Sequence, residues 1–200
     1  MDLLPHDPHS AIICGATGCG KTVFALDALE QHYRGVFRHI IILCPTVRHN
    51  RTYQSRTWLW TDPEVYIVAP GERLHDYLRA FYTLFTGEPT LYIIDDCSAS
   101  KAITRKKDML SELAFSGRHA RQSVWVLTQR YNAVLKDLRE QTRWTALFHC
   151  KDRDSFEECL RENDVSADRE ERQAIRRILA EKKNSKVLLK TDQPAAYSIA

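Results

Sequence analysis

The sequence predicts a three-layer α/β fold: a mainly parallel central sheet flanked by helices, with a C-terminal strand or hairpin at its edge. Three observations carry this expectation. Short apolar runs recur without alternation, helical patterns separate them, and a glycine-rich loop joins the first run to the first helix. A strand covered on both faces reads as continuous apolar sequence, whereas a half-exposed strand alternates. Strands alternating with helices indicate crossover units rather than a meander. Two hundred residues suffice for one such domain, so 1–200 is read as a single unit. Its nucleotide-binding core spans about 10–165, and a C-terminal helix and strands fill 166–200.

The runs fall in order at 11–14, 40–44, 65–68, 91–94, 124–127 and 146–148. Helical patterns lie between and after them, at roughly 21–34, 72–86, 105–117, 131–141 and 153–163. Residues 45–63 break the rhythm and read as a long basic, aromatic loop carrying Arg48, Arg51, Arg56, Trp58 and Trp60. Loops of that length in a compact domain are often functional. The tail reads as a charged helix near 168–183, then strands at 186–190 and 195–199. These form a hairpin on the sheet edge or serve a neighbouring subunit.

The first strand-to-helix junction is Gly15-Ala16-Thr17-Gly18-Cys19-Gly20-Lys21-Thr22, a complete G-x-x-x-x-G-K-T. Its context of strand before and helix after is the one the motif requires. Gly15, Gly18 and Gly20 let successive backbone N–H groups turn inward toward phosphate oxygens. The helix that follows adds its positive end. Lys21 is expected to reach the β- and γ-phosphates of ATP, and the Thr22 hydroxyl to bind Mg²⁺. The fold is therefore expected to be that of a P-loop NTPase.

The strand at 91–94 ends in Asp95-Asp96. Asp95 is expected to hold Mg²⁺ through water, and Asp96 to orient or deprotonate the attacking water. Two carboxylates closing a buried strand into a loop would read the same way. The strand at 124–127 runs into Thr128-Gln129, and inserted beside the loop strand it would aim Gln129 at the γ-phosphate. Arg118 and Arg121 precede that strand, away from the chain's own nucleotide. Either they form a solvated basic turn, or one of them completes a neighbour's site; Arg118 is the first choice, Arg121 the second and Arg130 the third. Lys101 with Arg105-Lys106-Lys107 is a solvated helix start or a phosphate-backbone contact.

Composition excludes less than the motifs do. The net charge of +3 is compatible with nucleic acid without requiring it. The six cysteines form no C-x-x-C pair, and the eight histidines lack metal-ligand spacing. An intracellular, reduced protein without structural zinc is expected. No apolar stretch approaches the length of a membrane span, and no signal peptide opens the chain.

Taken together, the phosphate loop, Ile93-Ile94-Asp95-Asp96, and Ser116-Gly117-Arg118-His119 followed by Leu127-Thr128-Gln129 resemble the FtsK–HerA superfamily. Within it, the chain is most similar to the poxvirus-type DNA-packaging ATPases of large DNA viruses and Maverick/Polinton-like elements. The resemblance covers about 10–165. It implies an ATPase motor that assembles as a homo-oligomeric ring, pentamer or hexamer, and drives double-stranded DNA into a capsid or through a portal vertex. It places the protein at the virus assembly site or virion vertex. It also implies roles for Lys21, Thr22, Asp95, Asp96, Gln129 and Arg118. Asp96 stands where the commoner residue is Glu, and no nuclease module is visible. Other readings are a non-viral DNA translocase and a small-molecule kinase. The former usually adds membrane spans or winged-helix modules, and the latter an arginine-rich lid.

Overall fold

The computed structural model describes residues 4–69, 72–97, 109–165, 168–192 and 195–200. Lys101 and Arg105-Lys106-Lys107 lie outside them. Six strands follow the expected apolar runs: β1 Ser10–Cys14, β2 His39–Leu43, β3 Val65–Val68, β4 Thr90–Asp95, β5 Gln122–Thr128 and β6 Thr142–Phe148. All six are parallel, and β7 (Lys186–Lys190) and β8 (Ala196–Ile199) add an antiparallel hairpin to β6. The sheet order is β3-β2-β4-β5-β1-β6-β7-β8. The hairpin thus closes one edge, and β5 is inserted between the loop strand β1 and the acidic strand β4. That insertion is the one the apolar run at 124–127 led us to expect.

Register decides what the fold can do. Cys14 pairs with Thr128 across β1 and β5, and Asp95 pairs with Leu127 across β4 and β5. The carboxyl ends of three adjacent strands therefore open at one level, where a doubly wound sheet takes its ligand.

Helices cover both faces. On one side lie α1 (Lys21–His32), α2 (Arg51–Gln54) and α3 (Trp58–Thr61), which bury Leu26, Leu29, Tyr53 and Leu59 against Ile13, Trp125 and Trp144. Ala25 and Ala28 keep α1 close to the sheet. On the other side lie α4 (Leu74–Leu84), α5 (Met109–Ser116), α6 (Lys136–Glu140), α7 (Arg153–Glu162) and α8 (Arg169–Glu181). They contribute Leu78, Leu110, Leu138, Phe156 and Ile175 to the second core layer. Asp152 and Asp168 cap α7 and α8, each accepting from the backbone N–H two residues on. On β7 the alternation expected of a strand with one covered face appears, with Val187 and Leu189 buried.

One expectation is corrected. Residues 45–63 are not an irregular loop: a 3₁₀ turn at Val47–His49 precedes α2 and α3. Arg56 forms ion pairs with Asp27 and Glu30 of α1, and the Trp58 indole donates to Glu30 Oε1 at 2.6 Å. The Trp60 indole donates to the Tyr53 carbonyl at 3.0 Å. Arg56 is therefore an anchor, while Arg48 and Arg51 remain exposed.

Candidate functional site

The phosphate loop leaves β1 stitched to its neighbours. Gly15 N–H donates to the Thr128 carbonyl at 3.1 Å, and Ala16 N–H to the His149 carbonyl at 3.0 Å. Gly18 and Gly20 take positive φ values of 76° and 96°, which side chains disfavour. Gly15 is required for a different reason than expected. A Cβ there would lie 2.5 Å from Phe148 Cβ and 2.7 Å from Cys19 Sγ, so the constraint is close approach. Gly20 sits at the N-terminus of α1, whose first-turn N–H groups face the loop. Lys21 curls back across the loop, its Nζ donating to the carbonyls of Gly15 and Ala16 at 2.8 and 3.0 Å. The ammonium is thus already held inside the loop.

Across the cleft, Thr22 Oγ1 donates to Asp95 Oδ2 at 2.9 Å. A hydroxyl committed that way presents its lone pairs to the cleft. Hydroxyl and carboxylate oxygens are the hard donors that Mg²⁺ takes, so these residues fit that ion. Asp95 is 5% exposed, and burial raises its pKa while hydrogen bonds from Tyr53 and Thr22 oppose the rise. Tyr53 donates to the same Oδ2 at 2.7 Å, and burial holds its phenol protonated. Asp96 follows at φ 54°, a left-handed conformation, with Thr46 Oγ1 donating to its Oδ2 at 3.4 Å. Aspartate tolerates this better than most residues, and such strain concentrates at working sites.

Lys21, Thr22, Asp95, Asp96 and Gln129 line one cleft of about 390 Å³, with Thr17, Gly18 and Gly20 at its rim. Ala16 and Cys19 belong to the same loop and border a second recess beside it, with His149 and Asn184. Sequence reasoning missed the opposite wall, which Thr46, Asn50 and Thr52 supply from the segment after β2. It also missed Tyr53, for which no motif gave a signal.

Arg118 lies elsewhere, in the turn before β5 at the amino ends of the strands. It lines a larger cavity of about 740 Å³ with Gln122, Arg139, Thr142 and Arg143. That cavity has no phosphate loop. Arg139 is bound to Glu158 and Glu162, and Arg143 to Asp7 and Asp192. The smaller cleft is the one that brings the phosphate loop, Thr22 and the paired carboxylates together. Arg121 shares the turn with Arg118, at φ 58°. Arg130 follows β5 on the nucleotide side, 3.8 Å from Asp152.

The fold and its loop define a P-loop nucleotide-binding protein. More narrowly, the chain belongs to the family of the poxvirus A32 protein, whose profile matches residues 1–193. No protein of curated function matches by sequence. Among solved structures, the chain is similar to B204, the DNA-packaging ATPase of Sulfolobus turreted icosahedral virus. The TM-score is 0.70 at 14% identity, covering 98% of both chains. The genome-packaging NTPase B204 of Sulfolobus turreted icosahedral virus 2, in complex with ATP-γ-S, gives 0.63 at 15%, covering 98% and 97%. The pCW3 conjugation coupling protein TcpA gives 0.61 at 14%, covering 98% of this chain and 60% of that one. Among the described residues no helix is long and apolar enough to cross a membrane.

Proposed function

We propose that this chain is an ATP-driven motor that moves double-stranded DNA, packaging a viral genome into a capsid. The observation that carries the reading is one cleft in which the phosphate loop, the Thr22–Asp95 pair, Asp96 and Gln129 converge, in a member of the A32 family. The similarity to packaging ATPases over nearly the whole chain supports the same reading.

In this reading the loop N–H groups and the start of α1 cradle the phosphates of ATP. Lys21 Nζ exchanges its two carbonyl partners for phosphate oxygens. Thr22 and Asp95 would hold Mg²⁺, which when bound supplies positive charge against the phosphates of ATP. The Asp96 carboxylate accepts the proton of the attacking water, and the Gln129 amide orients that water. Arg118, too far round the molecule to reach its own cleft, serves the neighbouring subunit's cleft in a head-to-tail ring of five or six copies. Exposed Arg48 and Arg51 contact the DNA backbone, so binding depends on salt and not on sequence. A capsid or portal vertex receives the DNA, which places the protein at the assembly site. A conjugative or other non-viral translocase is the second reading, favoured by the similarity to TcpA.

The test is steady-state ATP hydrolysis with and without linear double-stranded DNA across a salt series. Stimulation by DNA of any sequence, falling steeply with salt and lost in Lys21→Ala and Asp96→Asn, is expected. Hydrolysis indifferent to DNA would sink the motor reading and favour a nucleotide-processing enzyme.

A further inference from the structure

A buried tyrosine behind Asp95 joins the phosphate-loop side of the molecule to the segment after β2. Tyr53 is fully buried in α2, and its hydroxyl reaches Asp95 Oδ2 at 2.7 Å. Thr22 donates to that same oxygen at 2.9 Å. One carboxylate oxygen is thus held by two hydroxyls, one from the phosphate-loop helix and one from the segment after β2. That segment is not slack. Trp60 donates to the Tyr53 carbonyl, Trp58 donates to Glu30 Oε1, and Arg56 grips Asp27 and Glu30 of α1. The same segment carries Arg48 and Arg51 into solvent on either side of Asn50, which itself lines the cleft with Thr46 and Thr52.

We propose that Tyr53 is a positioning residue that holds Asp95 for the metal and transmits occupancy of the metal site to the segment 47–61, which carries the exposed Arg48 and Arg51. Contact of that segment with DNA rests on the motor reading; the link from Asp95 to the segment does not. The physical argument is that Oδ2 cannot be re-aimed without lengthening a short charge-assisted bond to a residue packed in the core. A side chain held at both ends, in the cleft and in α2, moves the helix when the carboxylate moves. Groups that orient a metal-holding carboxylate from behind typically change metal affinity ten- to a hundredfold when removed. A tyrosine that merely parks its hydroxyl on the nearest acceptor would fill the same space and transmit nothing.

The experiment uses the full chain with a non-hydrolysable ATP analogue and titrates Mg²⁺. Trp60, 47% exposed and bonded to Tyr53, is the reporter, read as the difference in emission between the natural chain and Trp60→Phe. The expected result is a change driven by Mg²⁺ and not by the analogue alone, with tryptic cleavage at Arg48 and Arg51 changing in parallel. In Tyr53→Phe the analogue still binds without Mg²⁺, the half-saturating Mg²⁺ concentration rises roughly tenfold, and the Trp60 response disappears. A Tyr53→Phe chain with an unaltered Mg²⁺ titration and an unaltered Trp60 response would overturn the proposal. So would a natural chain whose Trp60 emission and cleavage ignore Mg²⁺, a measurement that needs no folded Tyr53 variant. If the Mg²⁺ response is present but DNA neither binds nor stimulates hydrolysis, the motor reading falls and the link from Asp95 to α2 stands.

Discussion

His9 sits among Tyr33, Phe37, Trp125 and Trp144, accepting from the Trp125 indole at 2.9 Å through Nε2. Its Nδ1 then donates to the Asp7 carbonyl at 2.7 Å, which fixes the neutral tautomer. Burial lowers its pKa from 6.5 to about 4. The unfolded chain takes up this proton near pH 6.5 and the folded chain only near 4, so stability falls as pH falls between those values. About 2 kcal/mol should be lost by pH 5 through this group alone. Urea midpoints at pH 7.5 and pH 5 should show that loss in the natural chain and a smaller one in His9→Gln; equal losses would absolve His9. Gly15→Ala is a second expectation at this scale. Its Cβ must push into Phe148 and Cys19, costing roughly 1–3 kcal/mol and disturbing nucleotide binding, which calorimetry with ADP would measure. Individual loop residues were legible in the sequence because the motif fixes both residue type and spacing. The cause at Gly15 was not, since Phe148 is distant in the chain and only the sheet brings it near.

The segment between β2 and β3 shows what an element hides. Helices of four residues display no periodicity, so Arg51–Gln54 and Trp58–Thr61 read as loop. Their order comes from anchors on α1, at Asp27 and Glu30, that no local pattern announces. The arginines of the segment should accordingly separate by experiment. Arg56→Ala should lower stability by roughly 1–2 kcal/mol, because Asp27 and Glu30 both lose the guanidinium and Glu30 keeps only the Trp58 indole. The double change Arg48→Gln with Arg51→Gln should leave melting almost unmoved and weaken stimulation by DNA. Thermal melts and hydrolysis assays on both variants check this; unchanged stimulation in the double variant would remove the segment from DNA contact. The strands and long helices, by contrast, were legible because each presents an unbroken apolar run or a stripe to a layer that covers it.

At the scale of the molecule, the two poles of the sheet carry different chemistry. The cleft opens at the carboxyl ends and Arg118 lies at the amino ends. If Arg118 serves a neighbour, inactive Arg118→Ala subunits mixed with inactive Lys21→Ala subunits should regain hydrolysis, because some junctions pair an intact cleft with an intact arginine. No recovery at any ratio would count against the trans role. The order of layers followed from the sequence. The placement of Arg118 and Arg121 away from the cleft followed from the strand expected beside the loop strand, and the cavity that Arg118 lines needed the folded chain, since its walls come from residues 8 to 195.

That same insertion bears on how the chain comes into being. β1 is made first, yet its two neighbours are β5 at Gln122–Thr128 and β6 at Thr142–Phe148. During synthesis the strand Ser10–Cys14 must therefore wait, apolar and without a native partner, until β5 has been made more than a hundred residues later, and it gains its second neighbour only with β6. A nascent chain halted before Phe148 has the phosphate-loop motif but lacks the strand that walls it, so nucleotide capture becomes a late event in biogenesis.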